Sequence, residues 1–145
     1  MRRITTLLLA SNVGAKANDY AILAFRILVS AELMSVHGLK KIGIGVEIAE
    51  IVPNPLQLPD ALNTTAAIFA NLVAPIFIVF GFGTRIAAVF VLGVTLTGLF
   101  AMHLHDDAMI RDIPFMYSCC FLLLLIAGSG KISIDDLIVK QHPET

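Results

Sequence analysis

Three ionisable side chains, Arg26, Glu32 and His37, stand inside one apolar stretch, FRILVSAELMSVHGLKK, from Phe25 to Lys41. An arginine offers a fixed fork of donors to a polar or anionic group, while a carboxyl and an imidazole shifted by burial can pass protons. A second group follows Met102: HLHDDAMIRD carries His103, His105, Asp106, Asp107, Arg111 and Asp112. Imidazoles and carboxylates at one rim suit a divalent metal, but polar loops reach this spacing by chance. Proton handling, binding of a polar ligand and a plain solvated loop are the stronger readings, and no metal is assigned. Asn71 in FANLVAP and Arg85 in GFGTR complete the polar set.

The elements that must position these groups are membrane spans. Of the 145 residues, 57% are hydrophobic and only 14% charged, and the mean hydropathy is +0.86, which marks an integral membrane protein. Apolar segments at about 20–38, 62–82, 86–102 and 113–129 each approach the length that crosses roughly 30 Å of hydrocarbon. The expected fold is an all-α, four-helix antiparallel bundle. Pro53, Pro55 and Pro59 forbid a helix between the first two spans and leave one long loop there. The short turn GFGTR makes a hairpin of the second and third spans.

Lysine and arginine set the orientation. Arg2, Arg3, Lys16, Arg85, Lys131 and Lys140 fall on one side, against Lys40, Lys41 and Arg111 on the other. Both termini and the tail 131–145 are therefore expected in the cytoplasm, with the long loop outside. The basic start and small-residue triplet Ala15 to Ala17 resemble a secretory signal. A full span follows at once, so residues 1–19 are read as a retained interfacial segment. The net charge of −1 gives no basic field for nucleic acid. Adjacent Cys119 and Cys120 point about 100° apart on a helix, so packing rather than a disulfide is expected.

A charge near the bilayer centre is costly and normally faces a bundle interior. Arg26, Ser30 and His37 fall within about 40° of one another on a helix, and Glu32 lies about 120° round from Arg26. Snorkelling to the headgroups competes with a buried anion contact for Arg26. For Glu32, a neutral interior carboxyl hydrogen-bonded to Asn71 competes with a proton carrier. Pro75, just after Asn71, frees a backbone carbonyl and is expected to kink the second span.

FRILVSAELMSVHGLKKIG resembles the opening span of the DoxX family, with Arg26, His37, Gly38 and Lys41 in place. GFGTRIAAVF is similar to the family's Gly-x-x-Thr-Arg turn in Gly81, Thr84 and Arg85, and LLLLIAGSGKISIDDLI to its closing motif in Gly128, Gly130, Lys131, Ser133 and Asp135. The resemblance implies a compact four-helix membrane protein linked to redox systems, including quinone-dependent ones. Asn71 replaces a frequent glutamate of the family and Lys131 a frequent arginine, so Glu32 is expected to supply the missing carboxyl.

Three functions follow as expectations. The first is a membrane subunit of a redox system in the prokaryotic inner membrane, binding a quinone or similar polar-headed lipid. Glu32, His37 and His103 would handle protons, and Arg26, Asn71, Arg85, His105 and Asp112 would contact the ligand. The chain has no haem, flavin or iron–sulfur motif, so a partner redox protein or a second copy would complete the system. The second is a small proton-coupled transporter using Glu32. The third is a scaffold or assembly factor whose polar interior serves packing alone.

Overall fold

A computed structural model describes residues 14 to 141, so the expected interfacial segment lies largely outside the described residues. Four helices are long and apolar enough to cross a membrane: α1 (Lys16–Ile42), α2 (Asp60–Phe80), α3 (Thr84–Met102) and α4 (Ala108–Ala127). No strand occurs among the described residues. A short fifth helix, α5 (Ile134–Gln141), lies in the tail, where the sequence reading placed no element.

The spans differ from the expected boundaries for local reasons. Helix α1 starts before residue 20 because KANDY is polar yet helical, and hydropathy alone does not count it. Helix α2 stops at Phe80 because Gly81 adopts a left-handed φ of 67°. Helix α4 starts at Ala108, its first turns carrying Arg111 and Asp112, and ends at Ala127, where Gly128 leaves the helical conformation.

Consecutive helices pack side by side, with α4 returning beside α1. Leu33, Ala74, Ile78, Ala88, Val91, Phe121 and Leu124 form the buried core. Alanines at the contacts let backbones approach closely, and close packing rather than water exclusion holds helices together in lipid. Ser118 Oγ donates to Thr95 Oγ1 at 3.0 Å and joins α3 to α4. The outer faces carry Leu28, Ile86, Phe90 and Ile126, all exposed, as a lipid-facing surface requires.

Three of the four spans depart from α geometry once each. Backbone N–H groups reach back five residues, from Leu39 to Met34, from Ala74 to Phe69 and from His103 to Gly98, closing π turns at Met34–Gly38, Phe69–Val73 and Gly98–Met102. The turn in α2 has a cause in the sequence. Pro75 has no N–H, so the Asn71 carbonyl loses its usual donor, and the wide turn falls immediately before the proline. Gly38 lies against that freed carbonyl, and a Cβ at residue 38 would stand 2.5 Å from it.

Candidate functional site

The polar groups of the spans gather at the two ends of the bundle. One end holds the tight turn at Gly81–Gly83 and the segment between α4 and α5; the other holds the long loop at 43–59 and the connection at 103–107.

At the turn end, the polar side chains tie the backbone. Arg26 is 2% exposed, and its guanidinium donates to the carbonyls of Ser129 and Ile132. Gly81 has no side chain because a Cβ there would run into that guanidinium. The Asp135 carboxylate accepts from the N–H groups of Gly83 at 2.7 Å and Thr84 at 3.3 Å, which caps α3. The Asp135 N–H in turn donates to Gly81 O at 2.9 Å. Arg85 is exposed and donates to Ile126 O at 3.2 Å. The terminal nitrogens of Arg26 and Nη2 of Arg85, expected to meet a ligand, thus meet carbonyls of the chain itself, while Arg26 Nε, Ser30 Oγ and Thr84 Oγ1 are buried without a hydrogen-bond partner among the described residues and border neither cavity.

At the loop end, the three π turns surround a cavity of about 590 Å³ lined by His37, Lys41, Asn71, His103 and Tyr117. Asn71 is only 5% exposed, lines the cavity, and its side chain has no hydrogen-bond partner among the described residues. Its amide is therefore an uncommitted donor and acceptor pair. The His37 ring meets the Tyr117 ring edge to face, with centroids 5.4 Å apart, and Tyr117 stacks on Phe121. His103 faces Asp106, with Nδ1 2.7 Å from the carboxylate. A carboxylate only accepts, so Nδ1 carries the proton in this pair.

The long loop covers this end. Lys41 and Lys40 reach Glu50 at 3.2 and 3.4 Å, and the Glu50 N–H donates to Lys40 O. Burial pushes the Glu50 carboxyl up, but the hydrogen bond from Lys41 and the charges of both lysines outweigh it and hold the group below its ordinary range. Val52, Leu56 and Leu58 of the loop reach the cavity.

The structure separates residues that the sequence reading grouped. His37, Asn71 and His103 come together on the cavity. Glu32 does not join them: it is exposed on the outside of α1, and the expected Asn71–Glu32 bond is absent. The reason is the helical angle, since Arg26, Ser30 and Leu33 take the buried face and turn Glu32 outward. His105 and Asp112 are exposed, and Asp112 borders a smaller depression with Arg111 and Phe115. Among the described residues, no three His, Cys, Asp or Glu side chains come together as a metal requires. Cys119 and Cys120 are both free thiols.

Tyr117 and Lys41 escaped the sequence reading as site residues. A signal existed for Tyr117, because a tyrosine inside an apolar helix needs a polar place for its hydroxyl. Asp135 also escaped as the cap of α3, since nothing local links it to residues 83 and 84.

The DoxX family profile matches residues 21–104, which span α1 to α3 and the cavity-lining residues on them. An uncharacterized protein of Haemophilus influenzae is 29% identical over 102 residues, covering 67% of this chain and 68% of that protein. The inner membrane protein YqjF of Escherichia coli K12 is 40% identical over 68 residues, covering 44% of this chain and 52% of that protein, about half its length. No solved structure matches the chain.

Proposed function

The chain belongs to the DoxX family and is a multi-pass inner membrane protein, and on that premise we propose that it is the ligand-binding membrane subunit of a redox system. Its cavity at the loop end would take the polar head of a quinone or similar polar-headed lipid. One observation carries this reading: a buried, uncommitted amide, Asn71, faces a cavity of about 590 Å³ together with His37 and Tyr117. That volume lies in the range of small-molecule sites, which are mostly apolar with a few convergent polar groups.

A quinone head, when bound, supplies coupled electron and proton transfer. The residues supply the rest. The Asn71 amide donates to a carbonyl of the head through Nδ2 and accepts from a hydroxyl through Oδ1, so it serves the oxidised and reduced forms alike. A ring nitrogen of His37 holds or releases the proton, with the Tyr117 ring fixing the plane of the imidazole. The loop pinned by Glu50 shields this end from bulk water. The electrons come from a partner redox protein, since the chain carries no redox centre motif. By the lysine and arginine count, the loop end faces away from the cytoplasm. In this reading Arg26 and Arg85 bind the chain rather than the ligand.

The test is mass spectrometry of lipids extracted from gently purified protein. A stoichiometric quinone in the wild type and in Arg85→Ala, lost from Asn71→Leu and His37→Ala, is the expected result. Folded wild-type protein without any bound quinone or comparable lipid would sink the reading and favour transport or scaffolding.

A further inference from the structure

Resting on the proposed headgroup site, we infer that the cavity opens sideways into the bilayer between α2 and α3, with Gly93 as the sill of the opening, and that its ligand is a long-tailed amphiphile whose tail remains in the hydrocarbon. Packing does not require one glycine of α3. Gly93 lies midway along α3, is exposed, and lines the cavity; a Cβ built there meets nothing within 4 Å. A glycine inside a helix costs stability relative to alanine. A Cβ would fit there without contact, so the feature that matters is the open space beside residue 93 and not the glycine's conformational freedom.

The neighbours of Gly93 say where the space leads. Val89 and Phe90 are exposed on the outer surface of α3 and also line the cavity, and on α2 the exposed Ala66 does the same. Residues at this depth, near the middle of α3, face acyl chains rather than water. The cavity therefore meets hydrocarbon directly. Toward the turn end, the seam is closed by Phe69 of α2 against Phe90 of α3, with ring centroids 5.0 Å apart.

Polarity runs along the cavity. The opening is bordered by glycine, alanine, valine and phenylalanine, whereas the inner wall presents the 5% exposed, uncommitted Asn71. An entirely polar ligand has no favourable route through an apolar side opening, and an entirely apolar one leaves the Asn71 amide unpaired. An amphiphile satisfies both ends: its head reaches Asn71 and its tail leaves past Gly93.

Two probes separate this inference from the site on which it rests. Ubiquinone with a long isoprenoid tail and the tailless dimethoxy-methyl-benzoquinone are titrated into the full chain in lipid nanodiscs. Wild type is compared with Gly93→Ala, Gly93→Phe and Ala66→Phe, the last narrowing the opening from the other wall. The inference expects Gly93→Phe and Ala66→Phe to weaken the tailed quinone by about tenfold or more, to leave the tailless head unchanged, and Gly93→Ala to behave as wild type. Unchanged binding of the tailed quinone by both phenylalanine variants overturns it, as does equal loss of both probes. Failure of the wild type to bind either probe overturns the headgroup site, and the side opening with it.

Discussion

The two ends of the bundle hold similar residue types and use them in opposite ways. At the turn end, the terminal nitrogens of Arg26 and the carboxylate of Asp135 are engaged by backbone groups of the turn and the closing segment, and the unpartnered Arg26 Nε, Ser30 Oγ and Thr84 Oγ1 border neither cavity. At the loop end, Asn71 is as deeply buried and has nothing to bond within the described protein. Burial of a polar group therefore does not mark a site in itself. What marks a site is a polar group that the chain leaves unpaired and that also faces a cavity, as Asn71 does.

The largest effect expected from this contrast belongs to Arg26. Its charge-assisted bonds to two carbonyls are each worth about 1.5–3 kcal/mol, so Arg26→Ala should destabilise the fold by about 3–5 kcal/mol. Denaturant or thermal unfolding in detergent measures it. A melting curve that overlays wild type would remove Arg26 from the tie and return it to the ligand. Asp135→Ala should come next, at about 1–2 kcal/mol, because it uncaps α3. Asp135→Asn should recover part of the loss by keeping one acceptor oxygen.

The spans were legible in the sequence because hydropathy over a bilayer's thickness is a strong, local signal. The stripe of Arg26, Ser30 and His37 was legible too, since a helix fixes which residues share a face. Glu32 shows where this stops: its angle relative to Arg26 could be counted, but which face the neighbours would bury could not. The tie at the turn end joins residues more than fifty positions apart in sequence, such as Gly83 and Asp135, so no local pattern announces it. The Pro75 signal was half legible. A freed carbonyl at Asn71 follows from the missing N–H, whereas the π turn that absorbs the strain, and Gly38 lying against that carbonyl, needed the packing of two helices.

A smaller effect tests how firmly the loop end is closed. Glu50 is held below its ordinary value of 4.5 by Lys41 and Lys40. A carboxyl depressed on folding contributes its stability above its unfolded value, and that contribution is lost as pH falls through the folded value. The loop should thus be equally well tied across neutral pH and loosen only below about pH 4.5. Each lysine–glutamate pair is about a third exposed on the Glu50 side, so the loss should not exceed about 1 kcal/mol. Limited proteolysis of the 43–59 loop across this pH range measures it. Glu50→Gln should be as open at neutral pH as wild type is in acid, and an identical acid response in both proteins would place the titrating group elsewhere.

The smallest effect on stability is the one that bears most on function. Asn71→Leu removes an amide that the protein does not pair and replaces it with an apolar side chain of similar size. The fold should change by less than about 1 kcal/mol in either direction, because no intramolecular hydrogen bond is lost. Measured beside Arg26→Ala in the same unfolding assay, the two variants set the contrast between the ends. Comparable destabilisation by both would mean that Asn71 is a second tie and that the ends are alike. A stable Asn71→Leu protein that no longer retains its lipid would instead separate binding from folding at one side chain, which is what an uncommitted polar group in a cavity is suited to do.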